Sequence, residues 1–522
     1  MTTGSGISSR PGMVLAGMTA ANAMILVDQT AVPLTLPDIM QDLHVGAEKV
    51  QWVLNASLLM LAGLLVLGGR LGDLLGRRRI FLLGCAMFAG ASAVAGMAPE
   101  FSMLIAARVV QGVGGALMLP GSVALVSAAF SADRRGRALG TMGGAAAVAG
   151  ALGPTIGGVL TSAISWRAVF LVNVPLAVAC IVITLRAVPA DPPRTQRAHV
   201  DLSGSALLCI ALVAGVYGLS ETQDKGLSSA DVAIPLVAAV VATMLFVVRE
   251  RRAANPLMDL ALLRRSRNYL GAVLSQGLAG MAEMGLGVIF PLLLILNLEM
   301  SPALAGLALI PTTVPMILIA PLAGRWYDRS GGRGPLVTGF AVLALAGLAL
   351  AVGVQADRYL AVLPGLLLYG IGLSLVLTTN DPVSLDSIPT EDEGQASGVS
   401  ATAEQGGGAI GIAVLYALFH STYANRLYDI IDKSPLADLT PDQASAFRDR
   451  LTSAEQTGLH PDHFDPSFVD YLRPARDAST HGYTIVFLAV AAIAITGAVV
   501  TWWLVRRPTN ADEADDEIAP IA

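Results

Sequence analysis

Long apolar stretches alternate with short polar breaks along the whole sequence, and fourteen of the stretches are of membrane-crossing length. A hydrocarbon core about 30 Å thick takes roughly 20 residues of helix to cross. Helix is required because lipid offers no partner to a backbone N–H or C=O. On this measure the predicted spans cover 13–36, 51–69, 80–98, 102–125, 138–161, 167–187, 203–220, 232–248, 269–296, 303–323, 335–354, 361–380, 397–419 and 482–505. The seventh and eighth carry the weakest signal, being short or bounded by polar residues. The first is too long for a secretory leader, contains Asp28 and lacks a small-residue cleavage pattern, so it reads as a retained span.

Charge in the breaks gives the spans a direction. With the N-terminus in the cytosol, the cytosolic breaks collect Arg77, Arg78 and Arg79, then Arg134, Arg135 and Arg137, then Arg194 and Arg197. Further on they take Arg264, Arg265 and Arg267, then Arg325, Arg329 and Arg333. The short external loops hold only Lys49, Lys225 and Arg358. The positive-inside rule therefore predicts a multi-pass protein of the cell membrane with both termini cytosolic. The cytosolic break near 381–396 departs from the rule, being acidic. One external break is long, 421–480, with a helix-like stretch from Pro441 to Ala454; it reads as a surface cap or as a part in substrate entry and release. The acidic tail from Ala511 to Glu517 is expected to be disordered.

Composition agrees with a lipid solvent. Of 522 residues, 54% are hydrophobic and 14% charged, against about 25% charged in an average soluble domain. A net charge of −6 with 33 basic residues argues against nucleic acid as a partner. Cys85, Cys180 and Cys209 lie inside apolar runs with no CxxC spacing, a pattern of buried packing. The histidines are scattered through loops and span ends, and no nucleotide loop, metal cluster or nucleophile elbow appears. The reading is therefore of a protein that is not an enzyme and needs no cofactor.

A repeat ties the two ends of the chain together. The segment from Gly69 through Arg70, Gly72, Asp73 and Gly76 to Arg77 recurs from Gly324 through Arg325, Asp328 and Arg329 to Gly331. Setting aside the seventh and eighth spans leaves six on either side, and each copy then follows the second span of its half. This predicts a duplicated six-helix unit: a first bundle over 1–187, a two-helix insert with its linkers over 188–266, a second bundle over 267–505, and a tail over 506–522.

Four segments carry more specific patterns. The Gly69–Arg78 loop joins a Gly-bearing turn to Asp73 and a run of arginines. The fifth span holds Gly140, Gly153-Pro154 and Gly157-Gly158, small residues that let helices approach closely beside a proline that bends one. The fourth span reads Leu104 to Ala116 with Arg108 and Gln111 inside it. The first span runs Leu26-Val27-Asp28-Gln29-Thr30 and on to Pro37.

Together these segments, and their places in the span order, resemble the major facilitator superfamily, specifically its fourteen-span drug:proton antiporters. Three positions depart from the family pattern: Leu74 where an arginine is usual, Ala149 where a glycine is usual, and Pro33 where an asparagine is customary. The resemblance implies an all-α membrane protein of the major facilitator fold, two six-helix bundles plus two inserted helices, working as a monomer. It also implies a conformational latch at Gly69, Asp73, Gly76 and Arg77, with Asp328 and Arg329 in the second copy. Gly140, Gly153, Pro154, Gly157 and Gly158 would form the antiporter helix.

Ionisable side chains inside spans are expensive and mark function by default. Asp28 and Glu283 lie near the middle of their spans, and Arg108 stands two turns from the external end of its own. The resemblance places the first and fourth spans of each half around one cavity, which would gather Asp28, Arg108 and Glu283. Gln111, Asn380, Asp381 and Glu404 are further candidates. Bland readings stand beside these: Asp28 held permanently by a neighbour, Arg108 snorkelling to the interface, Glu404 serving packing. The function expected is proton-coupled export of small amphipathic or cationic molecules, powered by the proton gradient. A narrow exporter of one metabolite, lipid or siderophore is the alternative, and a transporter-like sensor a more distant one.

Overall fold

The computed structural model describes residues 10–191, 202–222, 229–253, 258, 260–388, 393–433 and 469–506. Among them thirteen helices are long and apolar enough to cross a membrane, and fourteen if one bent pair counts as a single span. In chain order they are α1 (Pro11–Leu43), α2 (Trp52–Leu75), α3 (Arg77–Gly96), α4 (Phe101–Ala129) and α5 (Ala132–Ala151 continued by Gly153–Ala163). After these come α6 (Trp166–Ala187), α7 (Leu202–Glu221), α8 (Ala230–Glu250), α9 (Arg267–Asn297) and α10 (Pro302–Ser330). The last four are α11 (Arg333–Ala356), α12 (Tyr359–Leu385), α13 (Glu393–Lys433) and α14 (Val469–Leu504). Every predicted span is a helix, including the two weakest, α7 and α8.

Two proline sites shape the first bundle. In α1 a 3-10 turn over Val32–Thr35 interrupts the α-helix, because Pro33 cannot donate the hydrogen bond a regular turn needs. In α5 the Gly153-Pro154 pair follows a break at Leu152, and the segments on either side, Thr141–Gly150 and Gly153–Ala163, meet at 41°.

The neighbour pattern of the first six helices recurs in the last six. α4 packs along α2 and α3 as α12 packs along α10 and α11; α1 lies on α5 as α9 lies on α13; α3 meets α6 as α11 meets α14. The arginine-bearing helix ends share one face of the protein. There the α2–α3 turn meets Asp191 beyond α6, and Arg506 beyond α14 donates its backbone N–H to Asn268 Oδ1 in the first turn of α9. Arg167 marks the opposite face.

The halves join along two seams. One runs between α2 and α13, where Thr402 Oγ1 donates to the Ala62 carbonyl at 3.2 Å. α7 lies against both of these helices and carries α8 on its outer side. The other seam is at the Arg167 face, where α5 meets α10: Thr155 Oγ1 donates to the Gly306 carbonyl at 3.1 Å and Ser162 Oγ accepts the Ala303 N–H at 3.0 Å. The surface is apolar where it would meet lipid, with Ile234 at 67% exposure, Met244 at 63% and Trp503 at 74%. Polar side chains such as Asn55, Gln111 and Asn380 are buried instead.

The long break differs from expectation at its edges. α13 stays helical to Lys433 and α14 is helical from Val469, so 421–433 and 469–480 extend helices past the predicted span ends. Loss of apolar character marks where lipid stops, not where backbone hydrogen bonding stops. The Pro441–Ala454 stretch, the Arg194 and Arg197 linker and the Ala511–Glu517 tail lie outside the described residues.

The α5–α10 seam rests on missing side chains. A Cβ at Gly158 would lie 2.2 Å from the Pro302 carbonyl oxygen, whereas one at Gly143, toward the other end of α5, would meet nothing within 4 Å. Gly158→Ala is expected to lower the thermal unfolding midpoint of the detergent-purified protein, overpacking of this kind costing about 1–3 kcal/mol. Gly143→Ala is expected to leave it unchanged or raise it, since alanine favours helix over glycine by up to ~1 kcal/mol.

Candidate functional site

An arginine in mid-bundle must be charged, so its surroundings must answer every donor it carries. Arg108 is fully buried, at 0% exposure, and Asp28 is at 3%. Arg108 Nη1 donates to Asp28 Oδ2 at 2.5 Å and to Gln111 Oε1 at 2.9 Å; Nη2 donates to Ser57 Oγ at 2.6 Å, and Nε to the Val53 carbonyl at 2.6 Å. Its remaining face lies 5.7 Å from the Phe170 ring centroid. The other carboxylate oxygen, Asp28 Oδ1, accepts from Asn173 Nδ2 at 2.9 Å. Gln111, one turn along α4 from Arg108 and so on the same face, donates to Ser92 Oγ at 2.7 Å. The knot therefore draws on α1, α2, α3, α4 and α6. Snorkelling is ruled out, because the guanidinium turns inward to the acid.

Helix α5 holds Asp28's segment of α1 in place. A Cβ at Gly153 would lie 1.8 Å from Thr30 Oγ1, and one at Gly157 would lie 2.5 Å from the Ala31 carbonyl oxygen. Thr30 Oγ1 in turn donates to the Gly150 carbonyl at 2.7 Å. The small residues beside Pro154 are thus the bed on which α1 lies, while Gly158 next to them faces the second bundle. Gly140 lies in the earlier segment of α5, away from this bed.

The second bundle holds a chain of its own. Glu404 of α13 accepts a short hydrogen bond from Gln276 Nε2 of α9. Gln276 Oε1 accepts from Asn380 Nδ2 of α12 at 2.5 Å, and Asn380 Nδ2 also reaches the Ala272 carbonyl at 3.0 Å. Ser275 Oγ closes the chain on Asn380 Oδ1. Glu283, two helical turns beyond Gln276 on α9, has its Oε2 enclosed and accepts no hydrogen bond there from the described residues. Asp381 follows Asn380 on α12, and its side chain is exposed.

The structure thus brings Asp28, Arg108 and Gln111 together in the first half, and Glu404 with Asn380 in the second. No hydrogen bond among the described residues joins Glu283 to Asp28 or Arg108. Sequence reasoning missed the uncharged partners Asn173, Ser57, Ser92, Gln276 and Ser275. Spacing could have found Gln276, seven residues before Glu283.

The repeated loops dock against helix ends. Gly76 ends α2 at φ +110°, a region side chains avoid, and Asp191 sits over it. Asp191 Oδ1 and Oδ2 accept the backbone N–H groups of Arg78 and Arg79 at 3.2 and 3.0 Å, capping α3. A Cβ on Gly76 would come within 2.4 Å of that carboxylate. Gly69 lies further up α2 and Arg77 opens α3; the Asp73 side chain lies outside the described residues. In the second copy Gly331 has φ +72°, Tyr327 donates a short bond to Asp386, and Arg333 stacks 4.1 Å over the Trp502 ring. Asp328 and Arg329 are exposed.

A family model described as Major Facilitator Superfamily matches residues 18–412. The chain belongs to that superfamily. Within the superfamily it is 33% identical to the tetracenomycin C resistance and export protein of Streptomyces glaucescens, over 100% of this chain and 96% of that one. It is 32% identical to the multidrug resistance protein Stp of Mycobacterium tuberculosis, over 89% of each. Its fold is similar to the crystal structure of a bacterial homologue of the human lysosomal transporter Spinster in an inward-facing, occupied conformation. That similarity has a TM-score of 0.63 at 15% identity, covering 94% of this chain and 96% of that one. This superfamily member is accordingly a multi-pass membrane transporter.

The knot carries a stability prediction. Arg108→Met leaves Asp28 as a buried charge without its partner, which is expected to cost about 3–5 kcal/mol. Asp28→Leu/Arg108→Met, which removes both charges, is expected to regain most of that loss. Thermal unfolding of the purified protein followed by tryptophan fluorescence measures both.

Proposed function

We propose that this transporter exports small amphipathic or cationic molecules, antibiotics among them, across the cell membrane in exchange for protons. The observation that carries the proposal is Glu404 held by a neutral amide in the second bundle, with Glu283 along α9, its Oε2 buried and accepting no hydrogen bond from the described residues. Both carboxylates lie inside a lipid-surrounded bundle without a basic side chain in the hydrogen-bonded chain around Glu404. A carboxylate there is costly as an anion unless a cation joins it. A proton or a cationic cargo meets that need equally, and the two exclude each other. The resistance and export proteins named above lend independent support.

The arginine-rich face supports a cytosolic placement of both termini. In that orientation the α5–α10 seam is closed on the outside. Toward the cytosol a Cβ at Gly143 or Gly144 of α5 would meet no neighbouring helix within 4 Å, which fits an inward-facing state of the cycle. Cargo enters from the cytosol, external protons later displace it, and the neutralised carrier returns, with the bundles rocking about a central site. One charge moving down about 100 mV supplies roughly 2.3 kcal/mol per proton before any pH gradient. A single chain is the proposed transport unit, as the family resemblance implies.

Proteoliposomes test this directly. With an acidic interior, ethidium is expected to accumulate inside, and collapsing the pH difference with nigericin should stop it. Glu404→Gln is expected to cut gradient-driven accumulation by about tenfold or more, a loss equivalent to at least ~1.4 kcal/mol. Accumulation that continues after the gradient is collapsed would sink proton coupling. A panel of antibiotics in the same assay separates broad export from export of a single compound.

A further inference from the structure

Asp28 and Glu404 are each followed by a glutamine, and the two glutamines bond to each other across the halves. Gln29 Nε2 of α1 donates to Gln405 Oε1 of α13 at 3.0 Å, and both side chains are buried. Gln29 Oε1 is enclosed and accepts no hydrogen bond from the described residues. Adjacent residues on a helix point about 100° apart. Asp28 therefore turns into its own bundle, to Arg108 and Asn173, while Gln29 turns outward to the partner bundle. The same division holds on α13, where Glu404 turns inward to Gln276 and Gln405 turns outward.

We propose that the Gln29–Gln405 bond is a positioning bridge that couples the Asp28–Arg108 pair of one bundle to the Glu404–Gln276 chain of the other. The proposal builds on the transport reading above and names residues that reading does not use. Rotation or shift of α1 when Asp28 leaves Arg108 moves the next side chain, Gln29, by the same rigid-body step. Release of Glu404 from Gln276 moves Gln405 likewise. A buried amide that loses its partner without water to replace it is unfavourable, so the bridge has two discrete states, made and broken. Such an element, biased from both sides, is what physical coupling between two sites requires. Rocking of the halves about their centre must break or re-form it.

The test reads conformation first and transport second. In a background with Cys85, Cys180 and Cys209 changed to serine, spin labels go on Ile164→Cys and Leu360→Cys. Both sites are on the Arg167 face, one in each half, and both are exposed. Distance distributions are compared for Asp28→Asn, Glu404→Gln and the two together, with the bridge intact and in Gln29→Met/Gln405→Met. With the bridge, the effects on the closed-to-open ratio should be non-additive, the combined variant departing from the product of the single effects by about threefold or more. Without the bridge the effects should multiply. Gln405→Glu keeps an acceptor for the Gln29 amide and should retain the coupling. Multiplicative effects in the intact protein, or equal non-additivity without the glutamines, would overturn the proposal.

A second measurement links Gln29→Cys to Gln405→Cys with a short bifunctional thiosulfonate, which should arrest ethidium transport until dithiothreitol is added. Undiminished transport by the linked protein would also overturn it. Failure of unlinked protein to carry ethidium would count against the export reading alone, because the spin-label distances need no cargo.

Discussion

Everything in the first bundle is arranged around one constraint: a guanidinium that cannot shed its charge sits where water does not reach. Arg108 receives an acid, two side-chain oxygens, a backbone carbonyl and an aromatic face, contributed by four different helices. Removing any one leaves a donor stranded in a low-dielectric interior, where the penalty is larger than the bond was worth. The glycines of α5 follow from the same constraint, since Asp28 can meet Arg108 only if α1 lies close. Packing of small residues and placement of charge are here two sides of one requirement.

The second bundle answers the problem of buried charge differently. Glu404 takes a neutral amide, itself held by a second amide and through it a hydroxyl, instead of a fixed cation, and Glu283 Oε2 accepts no hydrogen bond from the described residues. Asp28 has its counter-charge built into the bundle, whereas Glu404, held by a neutral donor, has none. The duplicated architecture thus carries two unlike interiors, one with a fixed cation and one without, and the asymmetry lies in a few side chains placed on equivalent helices.

Much of this was legible in the sequence. Apolar run length gave all fourteen helices, and a charge inside an apolar run stands out, which is why Asp28, Arg108, Glu283 and Glu404 were found. Neutral polar residues such as Gln29, Asn173, Gln276 and Gln405 leave no such mark, because an amide in a span is common and only its partner gives it meaning. Asp191 was missed for a related reason: nothing in the order of residues says that an acid beyond α6 will cap α3, more than a hundred positions earlier. Helix ends at Lys433 and Val469 escaped because hydropathy reports solvent, not backbone geometry.

The position of α7 has a consequence for the surrounding bilayer. Two six-helix units related by a pseudo-twofold axis would offer lipid tails two equivalent crevices, one on each flank. With α7 seated against both α2 and α13 and α8 behind it, one flank is roofed by protein. The annulus of lipid around the molecule is therefore lopsided, with helix instead of acyl chain along the α2–α13 flank.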